Sequence, residues 1–193
     1  IRQNRILRGP FFLQFFEGEI NGIITDDSFE KEILVNFFRC RSVLEEGAFY
    51  ESGKRIVYSR QYKMIRKLIS EKTSVISGNS QLFDSLNIVD NIFIPGSLIK
   101  SKKQRKIAAQ LMDFFDIRIP LHIKSRELTL LQRLQIEILH AVALRHKLII
   151  VSDINGKLCS EERHKLGKLY EQLARIGYCV CQIESLNNIF LNK

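Results

Sequence analysis

The chain has 193 residues, 45% of them hydrophobic and 26% charged, which suits one globular domain with a sizeable core and excludes a disordered or fibrous chain. No apolar run approaches the ~18 residues of a membrane-spanning helix, and no hydrophobic segment follows Ile1-Arg2-Gln3-Asn4-Arg5 as a secretory signal requires, so a cytoplasmic or membrane-peripheral place is expected. The net charge of +9 favours anionic partners, although the basic residues are spread along the chain.

The aromatic run Phe11-Phe12-Leu13-Gln14-Phe15-Phe16 reads as a short strand, Glu17-Gly18 as a turn, and residues 20–24 as a second apolar strand. A helix is expected from Asp27, with Glu30 at capping-box spacing and Ile33, Leu34, Phe37 and Phe38 on one stripe. Gly47 and Ser52-Gly53 punctuate two small strands over 48–50 and 55–58. A helix over 61–69 and a β-branched strand over 73–77 follow, and Gly78-Asn79-Ser80 opens a polar loop.

Residues 86–94 begin a second part, stopped by Pro95-Gly96. The spacing of Ile107, Leu111, Phe114 and Phe115 predicts an amphipathic helix over 102–115, with Pro120 in the linker after it. Lys100, Lys102, Lys103, Arg105 and Lys106 cluster at its start, the end that prefers anions, and read as a solvated helix start or an anion-docking patch. A long helix over 130–144 carries Leu131, Leu134, Ile138 and Val142. The run 148–151 lacks alternation, as in a parallel strand covered on both faces. Ser160 can cap a helix bearing Leu166, Leu169, Tyr170 and Leu173, Gly177 ends it, and 178–183 is the last strand. Alternating strands and helices of this length give an α/β sheet, with a helical insertion between Ser77 and Leu148.

Metal chemistry finds little support. Cys40, Cys159, Cys179 and Cys181 have no CxxC or Cys/His spacing and read as buried free thiols, with Cys179 and Cys181 on one face of a strand. Glu137 and His140 have E-x-x-H spacing, but the second copy that a carboxylate-bridged metal pair needs is missing. His122, His140, His146 and His164 are scattered. No recognition helix or aromatic–basic interleaving points to direct nucleic-acid binding.

GEINGII (18–24), LNIVDNIF (86–93), LTLLQRLQIEILHAV (128–142) and KLIIVSDINGKL (147–158), in this order, resemble four segments of the nucleotide-binding domain of ATP-binding cassette (ABC) transporters, closest to the ATP-binding subunits of ribose- or galactose-type sugar importers. GEINGII (18–24) resembles the strand entering the Walker A phosphate loop, and LNIVDNIF (86–93) the sugar-importer segment LTVAENIF. LTLLQRLQIEILHAV (128–142) resembles the signature motif and its helix, and KLIIVSDINGKL (147–158) the Walker B strand. The resemblance implies a P-loop NTPase-like α/β core with an antiparallel strand edge and a helical subdomain. It divides the single domain 1–193 into a core of 1–86 and 146–193 and a helical subdomain of 87–145. Family domains continue after the switch region with a further strand, which implies a fragment of a longer chain.

Carried onto this chain residue by residue, the family's machinery is degenerate. A phosphate loop uses glycines to turn consecutive backbone N–H groups inward, a lysine for the β/γ-phosphates and a hydroxyl for Mg²⁺. Here Thr25, Ser28 and Glu30 stand at the glycine positions, Glu32 replaces the hydroxyl, and only Lys31 is retained. Asp26, Asp27, Glu30 and Glu32 are expected to place four carboxylates beside the phosphates. Ser152 holds the Walker B aspartate position and Asp153 the general-base position. Thr129 and Leu131 replace the signature serine and glycine, so that a branched side chain is expected to block the partner-facing phosphate contact. The switch histidine falls at Glu184 or Ser185, and the Q-loop glutamine near Gly78, with Gln81 too far along.

The expected function is therefore a catalytically inactive ABC-type domain, a pseudo-ATPase serving as a regulatory or protein-interaction module. No cofactor is expected, ATP and Mg²⁺ belonging only to a site that still works. Two alternatives remain: an ATP-binding subunit of a carbohydrate importer, diverged or paired with an intact subunit, and the N-terminal domain of a transcription regulator with a separate DNA-binding domain. The expected partners are a protein or a further domain of the same chain, or a membrane permease. The expected oligomeric state is a monomer or an ATP-independent dimer. Any ligand around Lys31 is expected to be cationic or metal-bearing.

Overall fold

A computed structural model describes residues 12–42, 47–93 and 101–186, with the backbone of Arg2–Gln3 and Ile6–Leu7. Pro95-Gly96, read as a stop, Lys100 of the basic cluster, Phe11 of the aromatic run and residues 189–193, read as the chain's end, lie outside these residues.

Arg2–Gln3 (β1) and Ile6–Leu7 (β2) pair antiparallel. The strand expected at the aromatic run is absent: 12–16 carry no regular structure, and Phe12 is 91% exposed. Only Phe15 is drawn inward, its ring edge-on to Phe38 at 5.9 Å. Side chains of this size favour extended backbone, but a strand needs a partner edge to pair with.

The centre is a four-stranded parallel sheet in the order β3-β8-β7-β6, formed by Ile20–Thr25 (β3), Cys179–Ser185 (β8), Leu148–Ser152 (β7) and Thr73–Ser77 (β6). One face is covered by the helix Ser28–Phe38 (α1), whose Val35 and Phe38 pack on Ile150, Cys181 and Ile183. The other is covered by Leu130–Ala143 (α5) and Ser160–Arg175 (α6), whose Leu134, Ile138, Leu169 and Leu173 pack with Ile149, Val151 and Val180. This double cover explains the apolar run in β7.

Ala48–Glu51 (β4) and Lys54–Val57 (β5) form a separate hairpin, turned by Ser52 and Gly53 at positive φ of 51° and 77°. The antiparallel strands thus stand as two hairpins beside the parallel sheet. Tyr58–Lys72 (α2) follows β5 directly and is interrupted at Gln61. Between β6 and β7 lie Ile88–Ile92 (α3), Ser101–Phe114 (α4) and α5. Buried Asn91 anchors α3, its amide donating to Ser125 Oγ at 2.6 Å and to the Phe83 carbonyl at 3.1 Å. The cap of α6 is Cys159 rather than Ser160, and its N–H is bound by the Glu162 carboxylate at 3.0 Å. Cys179 and Cys181 are buried as expected, and burial pushes the Cys181 thiol up to about 12. Cys159 is exposed and Cys40 half-buried, against the expectation for these two, because both sit at helix ends.

Candidate functional site

The carboxyl ends of β3, β8, β7 and β6 converge, because the register aligns Ser77 with Ser152, Ser152 with Ile183, and Thr25 with Ser185. Ligands of open α/β sheets bind at this edge. A cleft of about 510 Å³ opens there, walled by α1, the loop after β6 and the turn after β7.

The β3–α1 connection holds only Asp26 and Asp27. Ser28, Phe29, Glu30 and Lys31 are already helical, and the Lys31 N–H donates to the Asp27 carbonyl at 3.2 Å. The Asp27 carboxylate caps the helix through the Phe29 N–H at 2.7 Å. The Thr25 hydroxyl accepts from the Asp27 N–H at 3.2 Å and lies 3.5 Å from the Glu30 carboxylate, so Glu30 closes the turn instead of completing a capping box. N–H groups aligned along a helix axis do not converge as a phosphate cradle requires. The sequence has the length of a phosphate loop, and the structure spends it on one more helical turn.

Lys31 forms an ion pair with Asp153, the residue at the general-base position. Asp153 follows β7 at φ 59°, its N–H donating to the Ile183 carbonyl at 3.3 Å, and Ser152 Oγ donates to its carboxylate at 3.2 Å. Glu184, at the switch position, is buried, and its Oε1 accepts from the N–H groups of Ile154 and Asn155 at 2.9 and 3.0 Å. It ties β8 to the turn after β7. Its Oε2 and the Tyr170 hydroxyl are buried without a hydrogen-bond partner among the described residues, and burial, then the Glu184 charge, raises the Tyr170 phenol above its ordinary value. Ser185 is buried at the end of β8.

Two electrostatic expectations change. Of the four carboxylates expected beside the phosphates, only Glu32 lines the cleft; Asp26, Asp27 and Glu30 stay with the β3–α1 turn. Lys31, Arg39, Arg41 and Lys157 line it instead, outnumbering Glu32 and Asp153. The cleft is therefore not built for a cationic or metal-bearing group, and no set of three metal-ligating side chains occurs among the described residues. Sequence reasoning singled out Lys31 and missed Arg39, Arg41 and Lys157, although Lys31, Val35 and Arg39 follow one another at i, i+4 and i+8 on one helical face. Arg39 donates to Ser77 Oγ at 3.1 Å; burial and neighbouring Arg41 lower its pKa, with Glu137 partly offsetting them. The Lys157 side chain lies over Gly78, where an added Cβ would displace the flexible end of that lysine.

The signature positions lie elsewhere in α5. Thr129 is the N-cap, its hydroxyl accepting from the Gln132 N–H at 3.3 Å and the Gln132 side chain returning to the Thr129 N–H at 2.9 Å. Leu131 is buried in the core, so it does not block a partner-facing contact as expected, and the Thr129 hydroxyl oxygen serves as the cap acceptor. Gln81 turns its side-chain amide back onto the Val75 carbonyl at 3.2 Å. Glu137 accepts from Ser80 Oγ at 2.6 Å and the Gln81 N–H at 2.8 Å, and burial raises its pKa. His140 instead meets the Ile92 carbonyl through Nδ1 at 2.8 Å, so the E-x-x-H pair has two separate structural tasks.

Solved structures share this architecture. A bacterial ABC transporter cassette, MJ0796 in its dimeric form, superposes with a TM-score of 0.70 over 93% of this chain and 81% of its own, at 19% identity. The fold is that of an ATP-binding cassette. CbiO1 of Clostridium perfringens, part of the ABC transporter complex cbiONQ, shares the cassette with a TM-score of 0.71, 17% identity and coverage of 88% of this chain and 67% of its own. In sequence, the cassette is 22% identical over 186 residues to the ribose import ATP-binding protein RbsA of Clostridium tetani, covering 92% of this chain and 36% of that protein. It is 24% identical over 185 residues to RbsA of Burkholderia mallei, with the same coverages. The chain thus spans about a third of the length of these curated relatives. No family model matches it. Sequence and fold agree on the architecture of an ABC cassette, and ribose import ATP-binding proteins are among the chain's sequence relatives.

Proposed function

We propose that the chain is a catalytically inactive ABC-type domain, with 1–86 and 146–193 as α/β core and 87–145 as helical subdomain, serving as a regulatory or protein-interaction module. One observation carries this reading: the phosphate-loop lysine is bound by the carboxylate at the general-base position, across a loop that has become helix. The residues present do not fit Mg²⁺–ATP. The cradle lacks converging N–H groups, Glu32 stands at the hydroxyl-ligand position, and Glu184 holds backbone in place of a phosphate sensor. The cations around the cleft offer general attraction to anions without the geometry of phosphoryl transfer. Titration with Mg²⁺–ATP by calorimetry is expected to give no micromolar binding and no turnover. Micromolar affinity accompanied by hydrolysis overturns the proposal.

The relatives' names favour a second reading, an ATP-binding subunit of a carbohydrate importer that has diverged or is paired with an intact cassette. It predicts a stable complex with a membrane permease, and a second cassette in that complex with a glycine-bearing phosphate loop. Purifying the complex and identifying that loop separates the two readings.

A further inference from the structure

Away from the cleft, we propose that the exposed face of α2 docks on an anionic phospholipid surface. Gln61, at φ −131° and ψ 27°, interrupts the helix, and the rest runs on to Lys72. Ile65 and Ile69 bury their side chains against Ile56 and Tyr58. At about 100° per residue, Lys63, Arg66 and Lys67 fall opposite that buried stripe as a cationic ridge, with Tyr62 on one flank and Met64 on the other. Tyr62 and Met64 are 43% and 39% exposed. Arg60 adds a fourth exposed cation just before the interruption.

The ridge is compensated only at Lys67 among the described residues. Lys67 reaches Glu71 at 3.8 Å with both side chains well exposed, and Glu51 is committed to Lys72. Arg60, Lys63 and Arg66 have no ion pair among the described residues. Four cations within eight residues, with no acid among them, repel one another in the isolated protein.

The shape and composition of the face select the partner. A small anion needs donors that converge, and these diverge from a convex helix that lines neither cleft through residues 60–67. A nucleic-acid duplex is read by side chains that pair with base edges, and Gln61, at the interruption, is the one uncharged amide on 60–67. The cations are flanked instead by a phenol and a thioether. Tyrosine favours the level of lipid headgroups, where lysine and arginine stems lie along apolar surface with their charges among phosphates. The basic cluster of α4 makes a contrast: Lys102, Lys103, Arg105 and Lys106 are exposed, yet the helix shows no exposed large apolar side chain before Phe114.

The test is co-sedimentation of the 193-residue chain with vesicles of phosphatidylcholine alone, or with about a third phosphatidylglycerol, at low and physiological salt. Binding is expected only to the anionic vesicles and to weaken with salt. Each basic side chain contributes about fivefold to partitioning, so Lys63→Gln, Arg66→Gln and Lys67→Gln together lower it about 100-fold. A variant of equal charge, with Lys102→Gln, Lys103→Gln and Lys106→Gln, is expected to retain most of the binding. Circular dichroism checks that both variants remain folded. Equal losses in the two variants reduce the effect to net charge and overturn the proposal. So does failure of the unmodified chain to bind anionic vesicles, or binding of duplex DNA or RNA at physiological salt where vesicles do not bind.

Discussion

At the scale of single residues, Lys31 and Asp153 hold each other in an ion pair across the cleft. The family resemblance assigns both positions to a phosphate site, and here each neutralises the other. Lys31 is well covered but about a third of the Asp153 side chain meets solvent, so screening limits the pair. A double-mutant cycle of Lys31→Met and Asp153→Asn in urea unfolding is expected to give a coupling of about 1 kcal/mol. Asparagine is the suitable replacement because it tolerates the positive φ at this position. Coupling near zero removes the pair from the account. Glu137 gives a pH signature. Burial raises its folded pKa above the unfolded value of 4.5, against the hydrogen bonds from Ser80 and Gln81. Its favourable contribution is full below 4.5 and lost as pH rises through the folded value. Glu137→Gln keeps an oxygen for both donors, so its stability is expected to rise relative to the unmodified chain as pH increases through that window. Parallel pH profiles exclude this.

At the scale of elements, the decisive change is where α1 begins. Glycines resist helix and keep a phosphate loop open; Ser28 and Glu30 do not, and Asp27 caps the helix just ahead of them. Ser28→Gly with Glu30→Gly is expected to lower stability by about 1 kcal/mol in urea unfolding. Mg²⁺–ATP binding is expected to stay undetectable in calorimetry, because Glu32 and the Lys31–Asp153 pair remain. Nucleotide binding by that variant shows that the helix start alone closed the site. The start of α1 was legible in sequence, since Asp27 stands just before apolar periodicity, whereas Thr129 reads in sequence only as a signature position and not as the cap of α5. The unpaired aromatic segment was not legible, because local β preference cannot reveal whether a partner edge exists.

At the scale of the whole molecule, two-sided burial of the parallel sheet is maintained by apolar side chains of α1, α5 and α6 packed on β7 and β8. Cassettes that sandwich ATP between two copies draw adhesion from it. Here Lys31 is committed to Asp153 and the Thr129 hydroxyl to its cap. Light scattering is therefore expected to give the same mass, monomer or ATP-independent dimer, with and without Mg²⁺–ATP. An ATP-dependent doubling refutes this.

The sequence by itself determined the alternation of strands and helices, the apolar faces that fix the cassette fold, and which residue types stand at Thr25, Ser28, Glu30 and Glu32. These are properties of residue type and period, which local chemistry reads directly. Only the tertiary structure decided what the remaining residues do. It moved three of the expected carboxylates away from the cleft and brought Arg39, Arg41 and Lys157 into it. It also turned Leu131 into the core and joined Lys31 to Asp153 across 122 positions of sequence. Side-chain direction and long-range pairing depend on how helices seat on the sheet, and no local pattern encodes that seating.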